Sequence, residues 1–151
     1  DAGPCYYTMK YLRGQTLDAM RVWDVRRALQ ALRTLERWPR DVQWSMESRQ
    51  AMAGVVLYAS LYEPGISQLQ LHALPRSHRD GPFLLNVRRI LDLPQTVAMA
   101  AERTRVILDQ VETSDWDYPR AVIQQLGWDN NHLRISPSPA APSPQPVPRA
   151  P

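Results

Sequence analysis

The chain has 151 residues, 44% of them apolar and 22% charged, which is an ordinary balance for one soluble globular domain burying roughly two-thirds of its unfolded surface. No apolar run reaches the ~20 residues that span a bilayer, and the single cysteine, Cys5, excludes an internal disulfide and any zinc site built from several thiolates. Net charge is +3 and nearly all of the positive charge is Arg, with Lys10 the lone lysine. Arginines at 21, 26, 27 and 33 alternate with Asp24 and Glu36 in a solvated pattern, which argues against a nucleic-acid partner. The chain opens with Asp1 and carries no basic, apolar leader, as expected of a processed chain, an excised piece or part of a reading frame. A leader removed before Asp1 would make the protein periplasmic or extracellular.

Residues 1–14 hold Gly3, Pro4, paired tyrosines and Gly14 without a period, and are expected to form an irregular N-terminal segment. Thr16 offers an N-cap for a helix of about twenty residues, from Leu17 to Glu36. Its buried stripe would be Val22, Val25, Leu29 and Leu32, flanked by Ala28 and Leu35, while Arg21, Asp24, Arg27, Gln30, Arg33 and Thr34 would face water. Val42 to Trp44 then predicts a short strand, Glu47 to Gln50 a tight polar turn, and Ala51 to Tyr62 a helix that is apolar almost all round. This strand, turn and buried helix form the unit around which the other elements are arranged.

Glu63-Pro64-Gly65 stops that helix. Ile66 to His72 alternates apolar and polar residues and predicts a strand. A polar loop ending in Gly81-Pro82 follows, then helical spacing over 84–92, an interruption at Pro94, and a second helical piece over 95–103. Arg105 to Leu108 predicts a strand, Asp115 to Pro119 a turn, Ala121 to Leu126 a helix ended by Gly127, and Leu133 to Ile135 a last strand. Alternation of this kind predicts an α/β fold over 15–135, with parallel strands, right-handed crossovers and helices on both faces of the sheet. From Ser136 to Pro151 the chain holds half of its fourteen prolines, the composition of a disordered proline-rich tail.

Three segments resemble a known superfamily in the same order: GQTLDAMRVWDVRRALQALRTLE, MESRQAMAGVVLYASLYEP and LPRSHRDGPFLLNVRRILDLPQTVAMAAE. They are similar to the C-terminal half of an α/β-hydrolase, more narrowly of the acetyl xylan esterase and dipeptidyl-aminopeptidase-like hydrolases. The resemblance covers roughly residues 12–135. It implies a partial α/β-hydrolase-type sheet, serine ester or peptide hydrolysis as the ancestral chemistry, and a partner consisting of an N-terminal portion of the same fold or a protein subunit. It implies no cofactor and no metal. A helix with a W-D-V-R-R-A motif, here Leu17 to Glu36, would precede the strand that delivers the nucleophile.

The chemistry of that family needs a Ser on a strained GxSxG turn, an oxyanion hole made partly by the next backbone N–H, then a carboxylate and a His. Met46-Glu47-Ser48-Arg49-Gln50 puts Ser48 in the nucleophile's place, with both glycines replaced. Counting back from Leu57-Tyr58-Ala59 instead puts Gln50 there, framed by Ser48 and Met52. The plain alternative for Ser48 is a turn or cap serine. Asp115 is the best-placed carboxylate, with Asp117 and Asp109 behind it, and an ordinary turn role is its alternative. For the histidine, His78 lies at a strand's carboxyl end, and His132 follows Ser48 and Asp115 in chain order but at the opposite edge. The three histidines show no metal-binding spacing such as HExxH. Two expectations follow: a catalytically impaired hydrolase-like domain, and a non-catalytic interaction module of the same descent.

Overall fold

A computed structural model of the protein describes residues 15–35, 39, 42–110, 112–129 and 131–137. The irregular start, Cys5 and the proline-rich tail beyond Pro137 lie outside the described residues. In chain order the elements are α1 (Leu17–Thr34), β1 (Trp44–Arg49), α2 (Ala51–Ser60), β2 (Ile66–His72), α3 (Leu93–Ala101), β3 (Arg105–Gln110), α4 (Asp117–Leu126) and β4 (Leu133–Pro137). Short 3-10 turns at Val87–Arg89 and Ser114–Trp116 precede α3 and α4. The strands are parallel and stand in the order β1-β2-β3-β4.

Sequential order with right-handed crossovers carries α2, α3 and α4 to the same face of the sheet. Burial agrees: Leu69, Leu71, Val106 and Leu108 are fully buried on that face, whereas Gln68, Gln70, His72, Arg105 and Asp109 alternate with them and point the other way. Helix α1 packs on α2. The alternation of elements had predicted helices on both faces; among the described residues they occupy one, because no strand steps back across an earlier neighbour.

Helix α2 is the centre of the core. Ala53 through Ser60 are all buried, as its unbroken apolar composition requires. Gly54 lies against the Pro82 ring, where a Cβ would come within 2.3 Å of Cδ, so only glycine permits this approach of loop to helix.

Thr16 caps α1 through its side-chain oxygen, which accepts from the Ala19 N–H at 3.1 Å. The buried stripe is narrower than its spacing suggests. Leu29 is buried and Val22 and Val25 are half-buried, but Leu32 and Leu35 are exposed. The reason is Glu63, buried just after α2. Arg26, Gln30 and Arg33, at helical spacing, turn from water to meet it: Arg26 Nε and Gln30 Nε2 donate to Oε1 at 3.0 and 2.7 Å, and Arg33 Nη1 to Oε2 at 2.8 Å. Arg33 also donates to the Pro64 carbonyl.

The segment 84–92 forms only the 3-10 turn, because Asn86 takes a left-handed backbone at φ 60°. Pro94 does not interrupt a helix but sits in the first turn of α3, where its missing N–H costs nothing. Asp92 caps α3 reciprocally with Gln95. Its carboxylate also accepts from Ser77 Oγ at 2.6 Å and the His78 N–H at 2.7 Å, tying the loop after β2 to the start of α3. Helix α4 starts earlier than its sequence pattern predicts, with Pro119 in its first turn, and ends at Gly127 with φ 66°. Ser136 and Pro137, expected in the tail, extend β4.

Burial alone would raise the Glu63 pKa, but hydrogen bonds from Arg26, Gln30 and Arg33 outweigh it and hold the carboxyl below its ordinary value of 4.5. Asp92 is likewise lowered against the opposing effect of burial, by Ser77 and the His78 and Leu93 N–H groups. A carboxyl with a depressed folded-state pKa contributes stability that is fully present above its unfolded value and lost as pH falls through its folded one. Urea unfolding should therefore show stability falling below about pH 4.5, and the Glu63→Gln variant should show a shallower fall over that window. At neutral pH Glu63→Ala should lower unfolding free energy by roughly 1.5–3 kcal/mol, because charge-assisted hydrogen bonds are lost and two guanidinium groups lose their partner.

Candidate functional site

The carboxyl edge of the sheet is where the junction residues of the strands collect, and ligand groups gather at this edge in open parallel sheets. Strand β1 does not end at Trp44. Its ladder runs on through Ser48, opposite Leu71, and Arg49, opposite His72, and is closed by the Gln50 N–H donating to the His72 carbonyl at 2.8 Å. Met46, Glu47, Ser48 and Arg49 are therefore strand residues, not a turn. Alternation puts Ser48 on the helix-covered face with Trp44 and Met46, and Glu47 and Arg49 on the other.

The sharp turn is carried by Gln50, at φ 53° and ψ −133° between β1 and α2. Residues other than glycine enter this region at a cost of about 1–3 kcal/mol. Gln50 thus stands on the strained strand-to-helix corner, two residues beyond Ser48 and at the place given by counting back from Leu57-Tyr58-Ala59. Its amide is neither a nucleophile nor a general base. Ala73, at the carboxyl end of β2, is a second positive-φ position at 47°, and its N–H donates to the Asp109 carbonyl at 2.9 Å.

His78 is held inside the core. Its Nδ1 lies 2.8 Å from the Pro82 carbonyl, which can only accept, so that nitrogen donates. In the neutral ring Nε2 then accepts from the Tyr58 hydroxyl at 2.8 Å, and Tyr58 Oη also contacts Thr96 Oγ1 at 3.1 Å. Burial pushes the Tyr58 phenol above its ordinary pKa of 10.0 and keeps it a hydroxyl. Both nitrogens of His78 are thus engaged, Nδ1 within the loop and Nε2 on α2. No hydrogen bond joins His78 to Ser48 or Asp115 among the described residues.

Asp115 lies in the 3-10 turn after β3, at the carboxyl side, anchored by the fully buried Trp116. Arg76 Nε is 2.9 Å from Asp115 Oδ2, but off the donor direction, so the contact is an ion pair without a hydrogen bond. The buried amide nitrogen of Gln110, at the end of β3, also has no hydrogen-bond partner. Asp117 is exposed and pairs with Arg120 at 3.2 Å. His132 lies before β4 at the amino edge, its Nδ1 2.6 Å from the Ala101 carbonyl and its ring 5.2 Å from that of Trp128. The structure thus places Asp115 and Gln50 at the carboxyl edge, Ser48 within β1, His78 in the core and His132 at the far edge.

One cluster was not singled out from the sequence. On the sheet face away from the helices, His72 Nε2 is 2.9 Å from Glu47 Oε1 and its Nδ1 is 3.1 Å from Asp109 Oδ2, which also accepts from Gln70 Nε2 at 3.1 Å. Ionised carboxylates only accept, so His72 Nε2 donates to Glu47 when it carries the proton, while the Nδ1–Asp109 contact is a charge contact without hydrogen-bond geometry. The cluster ties three strands together near their carboxyl ends. Polar alternation along each strand signals the face, but residues 25 and 37 positions apart meet only through the register. Among the described residues no group of three or more His, Cys, Asp or Glu side chains is placed to hold a metal ion.

The strain at the corner makes a direct test. Gln50→Gly should raise unfolding free energy by roughly 0.5–2 kcal/mol, the relief of backbone strain less the entropy that glycine loses on folding. Gln50→Val should lower it, both read as shifts in the urea midpoint at constant slope. No protein-family model, curated protein or solved structure matches this chain.

Proposed function

We propose that this chain is a non-catalytic module of α/β-hydrolase type, descended from serine ester or peptide hydrolases. The observation that carries this reading is Gln50 on the strained β1–α2 corner, where acyl-transfer chemistry needs a hydroxyl or thiol. The positions of the other candidates point the same way: Ser48 is held within a strand, and both ring nitrogens of His78 are occupied by Pro82 and Tyr58. Asp115, on the loop after β3, is in the place the family resemblance implies for its carboxylate, which favours common descent over retained chemistry. The domain then acts by binding. Its partner is an N-terminal portion of the same fold or a separate protein subunit, and β1, at one end of the described strand order, is the edge at which such a partner adds a strand.

The folded chain should not label with a fluorophosphonate probe, and should hydrolyse p-nitrophenyl acetate no faster than its Ser48→Ala variant. Labelling that disappears with Ser48→Ala would overturn the proposal and assign acyl transfer to Ser48.

A further inference from the structure

The loop between β2 and α3 forms, with the start of α1, an open surface cavity of about 460 Å³, lined by Thr16, His78, Arg79, Phe83, Leu85 and Arg88 among others. We propose that this cavity binds a small organic anion whose charged group is carried on an apolar body. The site is independent of the hydrolase reading, since it uses none of Ser48, Gln50 or Asp115.

Three observations converge. The first is charge. Arg79 and Arg88, both exposed, are brought together on this cavity and, like several other arginines but unlike Arg76 on the same loop, have no ion-pair partner among the described residues. Asp18 does not neutralise them, because its oxygens are taken by the Phe83 N–H at 2.7 Å and Arg21 at 2.9 Å. Asp80, exposed on the same loop, is the acidic neighbour in sequence and does not line the cavity.

The second is apolar exposure. Phe83 is 59% and Leu85 47% exposed while the adjacent Leu84 packs on the core. Together with the arginines they offer an apolar wall beside two cations. A guanidinium recognises carboxylates, sulfonates and phosphate esters through charge-assisted hydrogen bonds, and the apolar wall adds to binding only if the anion has an apolar body.

The third is rigidity. The loop is anchored by Asp92 through Ser77 and the His78 N–H, by the His78 ring to Tyr58 and Pro82, and by Asp18 to Phe83. Its exposed side chains therefore sit on a preformed frame, which lowers the entropic cost of binding. A volume near 460 Å³ falls within the range of small-molecule pockets and selects a small ligand over a macromolecule.

The test uses the full chain with 8-anilinonaphthalene-1-sulfonate, a sulfonate on an aromatic body, followed by fluorescence. Saturable binding of one equivalent is expected. It should weaken about tenfold or more in the Arg79→Glu/Arg88→Glu double variant and about fivefold in Phe83→Ser, with thermal melts by circular dichroism unchanged. Arg89→Glu, a charge reversal outside the cavity, should leave affinity within about twofold. Octanoate should displace the probe and inorganic phosphate should not. Absent or unsaturable binding, affinity unchanged in the double variant, an equal loss in Arg89→Glu, or displacement by phosphate as effective as by octanoate would each overturn the proposal.

Discussion

Eight consecutive residues of α2, Ala53 to Ser60, are buried, so each element around this helix must offer it either an apolar surface or a hydrogen-bond partner. The sheet supplies Leu69 and Leu71 on one side. Helix α1 closes another with Leu29, Val22 and Val25, and α3 adds Val97 and Thr96. The polar tip of Tyr58 is satisfied by His78 and Thr96, as a buried hydroxyl requires. At the helix centre Gly54 admits the Pro82 ring. The loop after β2 is therefore shaped by the helix it covers.

The charged groups of the fold follow from the same constraint. Glu63 leaves α2 without reaching water, and a buried carboxylate needs compensation. Helix α1 provides it with one face of arginines and a glutamine, which is why residues that look like a solvated face form an interior contact. Asp92 does comparable work for the loop, joining a helix cap to Ser77 and the His78 backbone. Two carboxylates, each held by several donors, thus set the angle between α1 and α2 and the path of residues 73–92. Of the exposed arginines on that loop, Arg76 pairs with Asp115, whereas Arg79 and Arg88 have no ion-pair partner among the described residues.

The corner at the carboxyl edge is set by its backbone and by the packing around it. The strand-to-helix turn at position 50 needs a positive-φ backbone, which is strained in any residue but glycine, and the buried α2 that follows holds Gln50 in it. Folding therefore fixes the backbone of the corner, and its chemistry is that of the Gln50 amide. His78 is held in the core by its bonds to Tyr58 on α2 and to the Pro82 carbonyl.

Much of the architecture was legible in the residues alone. Continuous apolarity from Ala51 marked a buried helix, alternation from Ile66 to His72 marked a strand with the observed bounds, and the β/α order implied parallel pairing. Thr16 and Gly127 acted as cap and stop because their chemistry is local. What spacing could not supply was the identity of distant neighbours. The polar side of α1 became a contact only because Glu63 is buried 30 to 37 residues away. The end of β1 lay beyond its obvious β-formers because β2 continues to pair with it through Arg49. Helices on one face, the Glu47–His72–Asp109 cluster and the interior role of His78 likewise depend on strand order and register. The sequence by itself determined the elements, their caps and the α/β class, since these rest on periodicity and near neighbours; tertiary structure alone decided which polar groups meet, because those meetings depend on contacts between segments far apart in the chain.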